Sequence, residues 1–228
     1  MQREHQKVLE ETPCSQVSPK ERRYLGHLVV KAMKATHYTN TGTIEFLLDE
    51  DNHHFYFMEM NARLQVEHTI TEEVSNVQLI KDQILVAENQ PLPFTQKDIH
   101  LDSYALECRI NAEDPARGFM PTPGKIVKAN FPFGTKGVRI DSGVKQGSLI
   151  SPYYDSMIAK IIVHMPTKHQ AVVKMARVLQ EFDIEGVKTN RQFLLDLVRD
   201  RHFQEGKFNN RYIETSFLKD WMSKHDRK

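Results

Sequence analysis

GTIEFLLDEDNHHFYFMEMNARLQVEH, residues 42–68, decides how this chain is read. Its apolar runs TIEFLL (43–48) and HFYFMEMN (54–61) have strand composition, and the polar stretch 49–53 between them marks a hairpin turn. Successive strand residues face opposite sides. Thr43, Glu45 and Leu47 therefore share one side of the first strand, and Phe55, Phe57, Glu59 and Asn61 one side of the second. With the turn centred near residue 52, Glu45 and Glu59 stand opposite each other. Like charges directly opposite repel, and both lie in apolar strands, a conflict that a cation resolves. Two carboxylates with the amide oxygen of Asn61 are hard ligands suited to Mg²⁺ or Mn²⁺, which usually keep phosphate oxygens and water as well. The plain alternative is a glutamate pointing to solvent from a sheet edge.

From residue 59 the pattern E-x-N-x-R-x-Q-x-E continues. If the chain stays extended, Glu59, Asn61, Arg63, Gln65 and Glu67 line one face, and Met60, Ala62, Leu64 and Val66 the other. Such a stripe is either a solvated face or a pocket for a small oxyanion. In the pocket, Arg63 binds bidentately, Gln65 orients and Glu67 removes a proton. His68 is expected to be packed or hydrogen-bonded, and His53 and His54 to be solvated in the turn.

Upstream, Ser18-Pro19-Lys20-Glu21 reads as a capping box opening an amphipathic helix over 19–36 through Leu25, Leu28, Val29, Ala32 and Met33. The chain itself opens on MQREHQKVLEE, a charged, helix-like run with no lead-in strand. Downstream, Val74, Val77, Ile80, Ile84 and Ala87 predict one helix over 72–88. Residues 89–100 carry two prolines and no periodicity, and mark a boundary. Beyond it, 103–111, 125–131, 136–141 and 157–163 read as strands, with PTPG (121–124) as a turn. Thr167 with Gln170 caps a helix through Val172, Met175 and Leu179. A last helix from about Asn190 carries Phe193, Leu194, Leu197 and Val198, and the tail WMSKHDRK is expected to fray. Strands and helices mixed without strict alternation predict an α+β fold.

The 228 residues hold 31 basic and 30 acidic side chains, a formal charge of +1, which gives no support for non-specific nucleic-acid binding. No apolar stretch approaches the roughly 18 residues of a membrane span, and the polar start is no signal peptide. Two cysteines, Cys14 and Cys108, make no disulfide framework or zinc pattern, so a reducing cytoplasm is expected.

The stretches REHQKVLEE (3–11), GTIEFLL (42–48), FYFMEMNARLQVEH (55–68), LECRINAEDP (106–115), PTPGKI (121–126), PYYDSMIAK (152–160) and EGVKTN (185–190) together resemble the C-terminal half of biotin carboxylase. That enzyme is an ATP-grasp ligase component of acetyl-CoA carboxylase, pyruvate carboxylase and relatives. The resemblance runs from residue 2 to about 218. It implies that residues 1–99 are the C-terminal part of the ATP-grasp domain, an antiparallel sheet with helices. Residues 100–218 are then the biotin carboxylase C-terminal domain, and 219–228 a tail.

The resemblance also implies roles. Glu45, Glu59 and Asn61 match the residues that hold the metal on ATP, Gln2 and His5 those near the ribose, and Leu47 the wall around adenine. Lys7, Arg63, Gln65, the backbone of Val66 and Glu67 match the bicarbonate pocket, with Glu67 as general base. Arg109 matches the arginine on the biotin side, and Arg139 a residue near the dimer interface. Read without the family, Arg109 would merely pair with Glu107 or Asp114.

The implied reaction passes through carboxyphosphate to carboxylated biotin on a biotin carboxyl carrier protein, serving a carboxyltransferase in fatty acid synthesis. A homodimer is implied, with no nucleic-acid or membrane partner. The family's N-terminal domain and glycine-rich lid have no counterpart in the sequence, so the chain alone is expected to be inactive. It is then the C-terminal half of an enzyme completed by a separately encoded N-terminal half, or a non-catalytic module that keeps the packing and dimerisation surfaces. Pyruvate carboxylase parentage is the further alternative.

Overall fold

The opening run is not helical. In the computed structural model, which describes residues 1–225, β1 (Gln2–Arg3) and β2 (Gln6–Lys7) form a tight antiparallel hairpin. Its turn residues Glu4 and His5 have φ of 47° and 66°. Two adjacent left-handed residues make the turn that suits a two-residue hairpin, and they cannot continue a right-handed helix. Charged spacing imitated a helix, but too few apolar residues stand behind it. Strand β3 (Leu9–Thr12) comes directly after.

The chain divides into two compact units, Pro13–Leu101 and a second that joins Met1–Thr12 to the chain from Asp102 onward. Residues 89–100 lie inside the first of these units, which ends at Leu101. The first twelve residues, which the sequence groups with residues 13–99, belong to the other unit.

In the Pro13–Leu101 unit, α1 (Pro19–Ala35) begins at the expected capping box. The Glu21 amide donates to Ser18 Oγ at 3.3 Å, and the Ser18 amide donates to Glu21 Oε2 at 2.8 Å. Ser18→Ala should cost about 1 kcal/mol of stability in this unit, read by thermal or urea unfolding. No residue of α1 is buried. Strands β4 (Thr43–Leu48) and β5 (Phe55–Asn61) then pair antiparallel. The helix expected over 72–88 is two: α2 (His68–Ser75) and α3 (Leu79–Ala87). Asn76, with φ of 55°, stops α2, since asparagine tolerates the left-handed conformation that ends helices.

The second unit is built on β6 (Tyr104–Asn111). Short strands β7 (Glu113–Asp114), β8 (Met120–Pro121), β9 (Gly124–Lys125) and β10 (Lys128–Asn130) come after it. Next are β11 (Val138–Ser142), β12 (Leu149–Ile150) and β13 (Met157–Met165). Then α4 (Lys168–Glu181), β14 (Asp183–Glu185), α5 (Arg191–Arg199), α6 (Arg201–Glu205) and α7 (Leu218–His225) complete it.

The strand expected over 125–131 is broken, because β9 pairs with β12 and β10 with β14. The four-stranded antiparallel sheet has the order β11-β13-β6-β3. One face, with Leu106, Cys108, Ile110, Ile161 and Val163 all fully buried, forms one core with Met175 and Leu179 of α4 and Phe193 and Leu194 of α5. Burial pushes the Cys108 thiol well above its usual range.

Thr167 caps α4 as expected, accepting from the Gln170 amide at 3.3 Å. Through His225 the tail is helical where the sequence predicts fraying. Trp221 of α7 is buried and its indole N–H donates to Asp196 Oδ2 at 2.8 Å. Residues 226–228 of the expected tail lie outside the described residues. The protein is an α+β assembly of helices and antiparallel sheets.

Candidate functional site

Strands β4 and β5 place Glu45 directly opposite Glu59, as the symmetry about residue 52 predicts. Toward the turn the hairpin is one residue out of step, because Phe46 faces Phe57 and Met58 is left without a partner, while Thr43 and Ile44 keep the register of Glu45. This bulge puts Phe57 on the side of Phe46, where the two rings meet edge to face at 6.5 Å, and not on the side of Glu59. The expected single side through Phe55, Phe57, Glu59 and Asn61 is therefore corrected. A bulge bends a strand and re-aims its side chains, here turning Glu59 toward Glu45. Nor are the carboxylates deeply buried: Glu45 is half-buried and Glu59 exposed.

Amides gather around the pair. The Asn61 Nδ2 donates to Glu59 Oε1 at 2.8 Å and lies 3.5 Å from Glu45 Oε1. The Gln65 Nε2, on a buried side chain, donates to the same Glu45 oxygen at 3.0 Å. Arg63 Nη2 donates to Asn61 Oδ1 at 3.3 Å. Glu45, Glu59, Asn61, Arg63 and Gln65 thus form one constellation, but not by the expected extended stripe. Strand β5 ends at Asn61, the chain turns through 62–67, and the loop folds Gln65 back onto β4. Half-buried Glu67 is the residue just before α2, yet its side chain makes no cap hydrogen bond. Val66 beside it is also half-buried. His68 is hydrogen-bonded as expected, its Nδ1 lying 2.8 Å from the Gln65 carbonyl oxygen.

The oxygen-rich donor set fits a hard divalent cation. Among the described residues no group of three or more His, Cys, Asp or Glu side chains is gathered for a metal. Two carboxylates suit an ion that takes its remaining ligands from phosphate and water, as Mg²⁺ does, better than one caged by protein.

The remaining predicted residues other than Leu47 lie on the unit that joins Met1–Thr12 to the chain from Asp102 onward. Gln2 pairs with Lys7 across the β1–β2 hairpin, both half-buried, and His5 is exposed at its turn. The hairpin is tied down at its tip: the Glu4 amide donates to Glu214 Oε1 at 2.7 Å, and the Arg3 guanidinium sits 4.2 Å over the Phe119 ring. Leu47 of β4, in the other unit, is half exposed.

Arg109 pairs with Glu10, a partner outside the two that the sequence offers. Its Nε and Nη2 reach Glu10 Oε1 at 2.8 and 2.5 Å. Both side chains are mostly buried, at 15% and 9% exposure, where such a pair is far less screened than at the surface. Register places Glu10 opposite Glu107, Arg109 opposite Lys160, and Lys160 opposite Asp141. The sheet face away from the core is therefore a charged band. Arg139 extends it, with its Nε and Nη2 each 2.9 Å from an Asp141 oxygen. Glu10 went unnoticed in the sequence, because only the pairing of β3 with β6 brings it to Arg109, 99 residues away.

Comparison with known proteins identifies the domains to which the two parts of the chain are similar. Residues 1–95 match the family described as carbamoyl-phosphate synthase L chain, ATP binding domain, and residues 107–215 the biotin carboxylase C-terminal domain. The chain is 47% identical over 215 residues to biotin carboxylase 1 of Bacillus subtilis, covering 94% of this chain and 48% of that protein. It is 46% identical to a pyruvate carboxylase subunit of Methanothermobacter thermautotrophicus, covering 94% and 43%.

The solved biotin carboxylase domain dimer of 2-oxoglutarate carboxylase from Hydrogenobacter thermophilus, in complex with MgADP, ADP and bicarbonate, superposes with a TM-score of 0.91. The identity is 44%, over 94% of this chain and 47% of that one. The chain spans about half the length of the relatives it matches. With two domain matches in the family's order, a paired-carboxylate hairpin in one unit and a charged sheet face in the other, the chain belongs to the biotin carboxylase family.

Proposed function

We propose that this chain supplies the metal, bicarbonate and biotin-side residues of an ATP-dependent biotin carboxylase. The observation that carries the reading is the constellation of Glu45, Glu59, Asn61, Gln65 and Arg63, in a chain whose relatives are named biotin carboxylases. Glu45, Glu59 and Asn61 would hold Mg²⁺, or Mn²⁺ in its place, which when bound neutralises charge on the ATP phosphates. Gln2, His5 and Leu47 are the nucleotide contacts.

Arg63, Gln65, Lys7 and the Val66 backbone seat bicarbonate, and Glu67 takes its proton as the oxygen attacks the γ-phosphorus. The β–γ bridge breaks, ADP leaves, and carboxyphosphate forms. Carboxyphosphate then splits into CO₂ and phosphate. The CO₂ bonds to the ureido nitrogen of biotin, whose proton passes to the released phosphate and whose enolate-like charge Arg109 stabilises.

The biotin is carried on a carboxyl carrier protein, and a carboxyltransferase uses the product. We infer a homodimeric, cytoplasmic enzyme. No helix of the described residues is long and apolar enough to cross a membrane. Acetyl-CoA carboxylase is the parent complex we favour. Pyruvate and 2-oxoglutarate carboxylase subunits among the relatives keep the final acceptor a separate question.

Because an ATP pocket needs enclosure from both sides, we expect the chain alone to be inactive and to require the remaining half of the family's length. Mixing it with the N-terminal half of the Bacillus subtilis relative should restore bicarbonate-dependent ADP release and biotin carboxylation. No ATP cleavage, with both halves folded and associated, favours the non-catalytic module. In the assembled enzyme Arg109→Ala should lower biotin carboxylation by about 10²-fold or more while bicarbonate-dependent ATP cleavage persists. Equal loss of both activities would remove Arg109 from the biotin side.

A further inference from the structure

Arg109 sits where its strand changes neighbours. Strand β3 runs beside β6 from Thr12, opposite Ala105, to Leu9, opposite Cys108, and the last bond on that edge is the Arg109 amide to the Val8 carbonyl oxygen at 3.1 Å. There the chain before β3 departs into the β1–β2 hairpin. The Arg109 carbonyl and both backbone groups of Asn111 still point toward the vacated edge.

Asn190 takes all three. Its Nδ2 donates to the Arg109 carbonyl oxygen at 3.0 Å, its Oδ1 accepts from the Asn111 amide at 2.9 Å, and its own amide donates to the Asn111 carbonyl oxygen at 3.1 Å. Asn190 is 1% exposed and stands at the N-cap of α5, a position where asparagine ordinarily caps the helix. Here its side chain makes no cap bond. It is turned instead onto β6, where the side-chain amide replaces a missing strand.

We propose that Asn190 is a positioning residue for Arg109, fixing the backbone at Arg109–Asn111 while Glu10 fixes the guanidinium. The inference rests on the reading of Arg109 as the biotin-side arginine, but its test does not. An arginine held only at its guanidinium tip pivots with its backbone. Held at both ends, it presents one face to a substrate without reorganising, which is the condition for electrostatic stabilisation of developing charge. Asn190→Ala removes both side-chain bonds. Asn190→Asp, of nearly the same shape, keeps the acceptor for Asn111 and sets an oxygen against the Arg109 carbonyl.

The measurement is ¹⁵N NMR of the isolated chain without substrate, tracking the Arg109 Nε–H signal and the exchange of the β6 amides. In the unmodified chain the Asn111 amide should be as protected as that of Ile110, and fast exchange at Asn111 overturns the proposal even if neither variant folds. In Asn190→Ala the Asn111 amide should exchange about tenfold faster, the weight of one buried hydrogen bond. The Arg109 Nε–H signal should shift or broaden, while Cys108 and Ile110 are unchanged. In Asn190→Asp the Arg109 signal should move while Asn111 stays protected.

A folded variant with an unmoved Arg109 signal reduces Asn190 to a tie between α5 and β6 and overturns the proposal. The assignment of Arg109 to biotin fails separately, through Arg109→Ala in the assembled enzyme.

Discussion

Glu67→Gln should lower biotin carboxylation in the assembled enzyme by about 10²- to 10⁴-fold, the range spanned by loss of a positioned general base. The amide keeps the size of the side chain but cannot accept the bicarbonate proton. Two structural features make the substitution clean. Glu67 makes no side-chain cap hydrogen bond to α2, so the amide breaks none at the start of that helix. The metal-side constellation is closed by Gln65 on Glu45 at 3.0 Å and by Asn61 on Glu59 at 2.8 Å, none of which involves residue 67. ATP affinity should therefore change little. Steady-state carboxybiotin formation and nucleotide titration separate the two effects, and unchanged turnover excludes Glu67 as the base.

The largest stability effect is expected at Phe193. It is fully buried on α5, with the rings of Phe119, Phe217 and Trp221 edge to face around it at 5.0, 5.3 and 5.5 Å. Phe193→Ala removes those contacts and leaves a cavity that three neighbouring rings cannot close, for a cost of about 3–5 kcal/mol. Because Phe119 carries Arg3 of the β1–β2 hairpin on its ring, the loss should also loosen Gln2, His5 and Lys7. Denaturant unfolding monitored through Trp221, the protein's single tryptophan, measures the cost directly. A loss below about 1 kcal/mol would mean that the core relaxes around the gap.

Much of the candidate site was legible because strand geometry is local. Glu45 and Glu59 stand symmetrically about residue 52 and pair, and the capping box at Ser18 and the N-cap at Thr167 are short-range chemistry read within four residues. The misreadings arose where two patterns of the same residues compete. E-x-N-x-R-x-Q-x-E alternates like a strand, but the loop returns so that Gln65 can satisfy Glu45, a bond worth more than continued extension in a segment with no partner strand. Residues 72–88 keep helical spacing across Asn76, whose left-handed backbone the periodicity does not register. The bulge at Met58 is likewise invisible to alternation, which counts residues but not hydrogen bonds.

By itself the sequence determined the α+β class, the hairpin and its facing carboxylates, and the motifs that resemble biotin carboxylase. These depend on periodicity and on neighbours a few residues apart. Only the tertiary structure decided that MQREHQK folds as a hairpin within the sheet unit, that Glu10 holds Arg109, and that Asn190 completes the edge of β6. Each of those contacts joins residues that lie far apart in the chain or depends on backbone conformation. Their energies come from strand pairing and desolvation, which no local pattern of residue types encodes.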